Sequence, residues 1–199
     1  TIAAHCVHMT EEDMDLVDPE KFFPVHNPSS NLKLASGIAP VQKMLDKGLT
    51  VALGTDGDSS NNNQNMLEEM HLAGLLAKGV SYDPEALKAE DVLRMATING
   101  AKALGRDFEI GSIEVGKLAD ISCFNLNSPS FTPRNNLISA LCYSAQAEDV
   151  KHVLIGGEFV LKDRKLTRVD LDDIREQVER KFQQLIDRKE LSDAIKGDL

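Results

Sequence analysis

Three short apolar runs in the first third of the chain each lead into a polar residue that could carry chemistry. The runs are TIAA, FFPV and TVAL, and they lead into His5, His26 and, through a Gly-Thr pair, Asp56. Segments with helical patterns separate them, and strands that alternate with helices pair in parallel because each crossover returns the chain to the same end of the sheet. Parallel pairing brings all three polar residues to the carboxyl edge of one sheet, where α/β proteins hold their active sites. The pattern therefore predicts a site of two imidazoles and one carboxylate, which can serve as metal ligands or as acid and base.

Asp56 also has a simpler interpretation. It is followed by Asp58, two serines and three asparagines, which are turn-prone residues and common helix N-caps. A strand followed by a capping loop would explain the stretch without any catalytic role. His26 has a similar alternative, because its imidazole could serve only to orient the loop after the second strand. We interpret His8, His71 and His152 as structural, since they lie outside the common sheet edge.

Helical patterns fill the segments between and after the strands. Thr10, followed by acidic residues, predicts a helix start, and Gly48 predicts a helix end. Residues 65–79 predict an amphipathic helix that ends at Gly79, and residues 87–105 predict one more helix or a bent pair. The first third of the chain is therefore expected to be α/β.

The pattern changes after Gly105. Short glycine-punctuated strands are predicted within 110–126, and a hairpin is predicted around a Gly156-Gly157 turn. A last helix is predicted from Asp170. Its apolar face is expected to pack on the body of the protein and comprises Leu171, Ile174, Val178, Phe182 and Leu185.

Composition narrows the classes of partner. The net charge of −10 and the sequence pI near 4.9 argue against binding to nucleic acid or to an anionic membrane. No apolar stretch approaches the ~20 residues of a membrane span, and no signal-peptide pattern is visible. Three cysteines without CxxC spacing favour reduced thiols in a cytoplasmic protein. A small-molecule substrate is the partner expected, with a homo-oligomer as a possible assembly.

Longer motifs carry a resemblance to a known family. The stretches VHNPSSNLKLASGIAPVQKMLDKG, VALGTDGDSSNNNQNMLEEM and GSIEVGKLADI resemble, in order and spacing, the carboxyl half of the amidohydrolase superfamily, most closely its methylthioadenosine/S-adenosylhomocysteine deaminase and chlorohydrolase group. The resemblance implies that residues 1–104 form the last three βα units of a (β/α)8 TIM barrel. It also implies part of a small β-sandwich domain over 105–169 and a C-terminal helix over 170–199. We expect the chain to be the back half of a larger protein.

The resemblance implies a divalent metal, most commonly Zn²⁺, with Asp56 as one ligand. Asp56 and His5 match catalytic positions of the family, and His26, Asn27, Ser30 and Asn31 would line the substrate pocket. The family's HxH pair, fifth-strand His and HxxE motif have no counterpart in this sequence. The isolated chain is therefore expected to hold metal poorly.

The function implied is hydrolytic deamination of a purine nucleoside or related amino-heterocycle. Alternatives within the same superfamily are a chlorohydrolase or a guanine or cytosine deaminase. An alternative of another class is an inactive truncated fragment that persists only as a folded scaffold.

Overall fold

Three parallel strands organise the first part of the protein, whose computed structural model describes residues 1–187. The strands are β1 (Ile2–Ala4), β2 (Phe23–His26) and β3 (Ala52–Leu53), and they lie side by side in that order. Val25 pairs with Ala4 on one side and with Ala52 on the other. The predicted parallel sheet is confirmed.

Seven helices follow and separate these strands. Thr10 begins the first with a capping box, as predicted, and the third ends two residues before Gly48, which adopts a φ of +80°. The helix predicted to end at Gly79 continues to Ser81, because a single interior glycine costs only about 1 kcal/mol relative to alanine. The helices are α1 (Glu11–Leu16), α2 (Pro28–Lys33), α3 (Val41–Asp46), α4 (Asp58–Asn61), α5 (Met66–Ser81), α6 (Ala89–Met95) and α7 (Ile98–Ala103).

A hydrophobic core joins the sheet to these helices. Its buried side chains include Leu53 of β3 and Val51, the residue just before that strand. Met70 of α5 and Met95 of α6 pack in the same core. The predicted bent pair over 87–105 is confirmed as α6 and α7. The core fixes the carboxyl ends of the strands relative to the helices that follow them.

An antiparallel sheet forms the second part of the structure. Its strands lie in sequence order: β4 (Ile121–Phe124), β5 (Val150–Ile155), β6 (Glu158–Lys162) and β7 (Lys165–Leu166). The β5–β6 hairpin is confirmed, and both glycines of its turn have positive φ. Strands predicted within 110–120 are absent there, since this stretch forms turns with Gly111 and Gly116 in the left-handed region.

A helix inside the second part packs on the first. α8 (Leu137–Tyr143) contacts both α5 and α6. A Cβ added at Gly74 of α5 would lie 3.0 Å from the Tyr143 ring, so glycine permits this close approach. Residues 105–169 therefore contain a helix that shares the core of residues 1–104, in addition to the sheet.

The final described helix is α9 (Leu171–Ile186), capped by Asp170. The prediction that its apolar face packs on the body is wrong, because the five apolar side chains are 38–58% exposed. Helical periodicity indicates which side chains share a face but not whether another element covers them. The predicted extension of this helix through 188–199 lies outside the described residues. Within the part that is described, no helix combines the length and apolarity needed to cross a membrane.

Candidate functional site

Asp56 lies three residues beyond β3, in a left-handed backbone conformation with a φ of +61°. Its Oδ2 accepts a 2.6 Å hydrogen bond from the Ser30 hydroxyl, and its Oδ1 accepts the Gly57 N–H at 2.8 Å. Hydrogen bonds from Ser30, then from Ser60 and Gly57, lower the pKa of Asp56 to about 2. The carboxyl group is therefore ionised at neutral pH.

The capping interpretation of Asp56 is wrong. The N-cap of α4 is Gly57, which has no side-chain cap, and α5 is capped by the Asn65 side chain. The Asp56 carboxylate accepts the N–H of its immediate neighbour and no helix N–H. Its hydrogen bonds therefore hold the carboxylate at the sheet edge without capping a helix.

His5 occupies the matching position after β1. Its N–H donates to the Val25 carbonyl at 2.8 Å, and its φ of +68° turns the chain out of the sheet. Nε2 of His5 lies 3.9 Å from Oδ2 of Asp56, and the two side chains are 43% and 33% exposed. The predicted convergence of these residues is confirmed, and a solute could reach both.

Asn31 fixes the orientation of the His5 ring. Its Oδ1 lies 2.8 Å from Nδ1 of His5, so in this amide orientation Nδ1 carries the proton and donates it. In the neutral ring with this tautomer, the Nε2 lone pair faces Asp56. The amide and ring together present an acceptor nitrogen beside an ionised carboxylate.

The four residues predicted to line a substrate pocket are all buried, with 0–4% exposure. Ser30 donates a hydrogen bond to Asp56, and Asn31 binds the ring of His5, so both residues hold the side chains of the candidate site in place. Nδ1 of His26 and Oδ1 of Asn27 are buried without hydrogen-bond partners among the described residues. Burial lowers the pKa of His26 to about 4, so its imidazole is neutral at pH 7. That these four residues line a substrate pocket stays a prediction.

Gly54 allows the Asn27 side chain to lie against β3. A Cβ at Gly54 would fall 2.8 Å from Nδ2 of Asn27 and 3.1 Å from the Val25 side chain. The Gly54 N–H also donates to the His26 carbonyl, which continues the parallel ladder. Any larger residue at position 54 would therefore have to displace the Asn27 side chain.

Glu69 is a site-adjacent residue that the sequence patterns did not single out. It lies on α5 with 0% exposure, and its carboxylate accepts hydrogen bonds from the Ser29 N–H and the Asn61 side chain. The sequence did contain a signal, because Glu69 falls on the buried face of α5, next to Met70 and four residues before Ala73. An acidic residue on an apolar face indicates a polar partner brought by the fold.

Comparison with known proteins decides the family. Residues 1–160 match the model of the amidohydrolase family. This chain belongs to that family. The resemblance seen in its motifs is confirmed.

Two curated relatives of this amidohydrolase chain are 5-methylthioadenosine/S-adenosylhomocysteine deaminases. That of Thermoanaerobacter pseudethanolicus is 53% identical over 94% of this chain and 44% of its own length. That of Caldanaerobacter subterraneus subsp. tengcongensis is 50% identical over 96% of this chain and 44% of its own. The chain thus spans less than half the length of these relatives.

Solved amidohydrolase structures share the fold. An adenosine deaminase from Xanthomonas campestris with bound zinc superimposes with a TM-score of 0.89 and 39% identity, over 92% of this chain and 42% of that one. A zinc complex of atrazine chlorohydrolase from Arthrobacter aurescens TC1 gives a TM-score of 0.82 and 29% identity, over 90% and 40%. The mixed α/β architecture is therefore that of amidohydrolases.

The candidate site fits a divalent cation only in part. Asp56 is ionised and accessible, and its oxygens keep lone pairs free for a cation beside the hydrogen bonds from Ser30 and Gly57. Residues 1–187 contain no group of three or more His, Cys, Asp or Glu side chains that could hold a metal ion. The chain therefore offers one fitting ligand beside an imidazole, which is fewer than the three or four protein ligands of a zinc site.

Proposed function

We propose that this chain belongs to a metal-dependent hydrolytic deaminase that acts on a purine nucleoside of the 5-methylthioadenosine or S-adenosylhomocysteine type. The observation that carries the proposal is the 3.9 Å approach of His5 Nε2 to an ionised, accessible Asp56. The names of the relatives at 50% and 53% identity support the substrate class. Similarity to amidohydrolase structures supports residues 1–104 as the last three βα units of a (β/α)8 barrel, with 105–169 in a small β domain.

The chain supplies one metal ligand, Asp56, and one imidazole, His5, near the reacting atoms. A divalent cation such as the Zn²⁺ of the related structures, when bound, lowers the pKa of a water molecule towards neutrality and so makes a nucleophile available. Asp56 would bind this cation through its carboxylate. Its low pKa suits a ligand, because protons do not compete for the oxygens at neutral pH.

Deamination exchanges the ring C–N bond for a C–O bond and releases ammonia. Asp56 would take the proton of the attacking water, and this transfer is transient because so acidic a carboxyl group returns the proton readily to the departing amine. His5 Nε2, held as an acceptor by Asn31, would accept a hydrogen bond from the attacking water and orient it. His26, Asn27, Ser30 and Asn31 would shape the floor of the pocket.

The test uses the full-length enzyme with Asp56→Asn and, as a matched control, Asp58→Asn. Asparagine is nearly isosteric and tolerates the left-handed conformation, but it cannot neutralise a dication or accept the proton. We expect Asp56→Asn to lower kcat by more than about a hundredfold, since loss of a direct ligand exceeds the usual effect of losing a supporting group. Asp58→Asn should stay close to wild type. Near-normal ammonia release by metal-loaded Asp56→Asn would contradict the proposal.

The remaining ligands have to come from residues outside this sequence. Reading the gene upstream of the Thr1 codon tests this directly. An in-frame segment that encodes an HxH pair and a later HxxE motif is expected. A stop codon directly before this segment would instead favour the folded-scaffold alternative.

A chlorohydrolase of triazine-like rings is the second candidate, favoured by the TM-score of 0.82 with the atrazine enzyme. The lower identity of 29%, against 53% for the deaminase relative, ranks it second. Assays with 5-methylthioadenosine and atrazine separate the two candidates. Ammonia release from the nucleoside without chloride release from the triazine is the expected result.

A further inference from the structure

The buried carboxylate of Glu69 is connected to Asp56 by two separate routes. Glu69 lies on α5 with 0% exposure, and both of its oxygens accept hydrogen bonds from neutral donors. One donor is the backbone N–H of Ser29 at 3.1 Å, and the other is Nδ2 of Asn61 at 2.8 Å. Burying a carboxylate is costly unless several hydrogen bonds offset its lost hydration, so this placement needs an explanation.

The first route runs through the backbone that carries Asp56. Nδ2 of Asn61 donates both to Glu69 and, at 2.6 Å, to the carbonyl of Thr55, the residue before Asp56. Asp56 sits in a left-handed conformation that an aspartate adopts only at some cost. By holding the Asn61 amide, Glu69 fixes the peptide from which Asp56 projects.

The second route runs through the side-chain partner of Asp56. The Ser29 N–H that Glu69 accepts belongs to the first turn of α2, one residue before Ser30. The Ser30 hydroxyl then donates to Oδ2 of Asp56 at 2.6 Å. Glu69 therefore fixes both the backbone of Asp56 and the hydroxyl that orients its carboxylate.

We propose that Glu69 is a positioning residue that sets the Asp56 carboxylate for metal binding, and that Asn61 is the link through which it acts. This inference rests on the proposed function. Replacing Glu69 by glutamine keeps the size of the side chain but changes one acceptor oxygen into an N–H donor. One of the two N–H groups, on Ser29 or Asn61, then faces another donor and the network must open.

The adjacent Glu68 provides a matched control. It is exposed on the same helix and bonds the Asn63 side chain, away from Asp56. Met70→Ala provides a second control, because Met70 is 3% exposed in the core and its truncation lowers stability without removing a hydrogen bond of this network. Glu68→Gln shows the effect of removing a negative charge from α5, and Met70→Ala shows the effect of lower stability. An effect seen only in Glu69→Gln then reflects the loss of positioning.

The experiment measures the zinc dissociation constant of the full-length enzyme by competition with a chelator, alongside kcat, KM and the thermal midpoint. Glu69→Gln is expected to weaken zinc binding by about tenfold to a hundredfold and to lower kcat more than it raises KM. Glu68→Gln should match wild type. Met70→Ala should keep the wild-type zinc affinity at temperatures well below its own midpoint.

Asn61→Ala is the second variant, needed where Glu69→Gln does not fold, and it should weaken zinc binding in the same way. A wild-type zinc dissociation constant in either folded variant overturns the inference. Asp56→Asn, measured in parallel, distinguishes this from failure of the proposed function. If Asp56→Asn abolishes deamination while Glu69→Gln and Asn61→Ala bind zinc normally, only the positioning role is wrong.

Discussion

Ser30 and Asp56 are joined by a 2.6 Å hydrogen bond between a fully buried hydroxyl and a partly exposed carboxylate. Ser30 lies in α2, which follows β2, and Asp56 lies in the loop after β3, so the bond ties together the segments that follow two neighbouring parallel strands. A hydroxyl donor stabilises the ionised form of the carboxyl group and restricts its rotation. Ser30 is therefore expected to matter for activity although no substrate atom needs to touch it.

Ser30→Ala is expected to lower zinc affinity and kcat of the full-length enzyme by about tenfold to a hundredfold, the usual cost of losing a partner of a metal-binding side chain. The adjacent Ser29→Ala is the control. The Ser29 hydroxyl is buried without a hydrogen-bond partner among the described residues, so its removal should leave both quantities close to wild type. Equal losses in the two variants would show that a general packing effect is responsible. Steady-state kinetics and chelator competition give the comparison.

Asn31→Ala is expected to reduce kcat with little change in KM, because the His5 ring loses the acceptor that holds its Nδ1 proton. Asn31→Asp retains an oxygen at the same place and should recover most of the activity. If Asn31→Asp is as impaired as Asn31→Ala, the tautomer argument for His5 is wrong. The pH profile of kcat/KM for the three proteins completes the measurement.

His26 makes the free energy of unfolding depend on pH. Burial lowers its folded-state pKa to about 4 from an ordinary value of 6.5, so between these values the unfolded state binds more protons. The stability contributed by neutral His26 is present above pH 6.5 and is lost as pH falls towards 4. The loss amounts to about 3 kcal/mol at 1.36 kcal/mol per pKa unit.

His26→Gln should remove this part of the pH dependence, whereas His8→Gln, at an exposed position, should retain it. Urea unfolding of the full-length protein at pH 7 and pH 4.5 measures both slopes. An unchanged pH dependence in His26→Gln would mean that the imidazole is protonated in the folded state and has found a partner.

Sequence patterns predicted the sheet, its parallel order and the meeting of His5 with Asp56, because these follow from strand spacing and crossover geometry. They did not predict which way the loop side chains turn. The hydrogen bonds of Ser30 to Asp56 and of Asn31 to His5 were not predicted. The position of a residue after a strand indicates the edge of the sheet, but its hydrogen-bond partners are brought from elsewhere in the chain.

Glu69 and α9 show two further limits of the same kind. Glu69 shares a helix with Glu68, and only tertiary packing makes one buried and the other exposed. The apolar spacing on α9 predicted its helix correctly but could not tell whether another element covers that face. Burial of one residue in a pair, or of one helix face, is decided by long-range contacts that local periodicity does not encode.

The left-handed conformations of His5 and Asp56 also govern which replacements these positions accept. At φ values of +68° and +61°, a β-branched side chain would add steric strain of order 1–3 kcal/mol to any loss of chemistry. The activity of a valine variant at position 56 would therefore reflect both backbone strain and the loss of the carboxylate. Asparagine tolerates this region, so an asparagine variant isolates the loss of the carboxylate. Fewer residue types should therefore be accepted at positions 5 and 56 than their solvent exposure suggests.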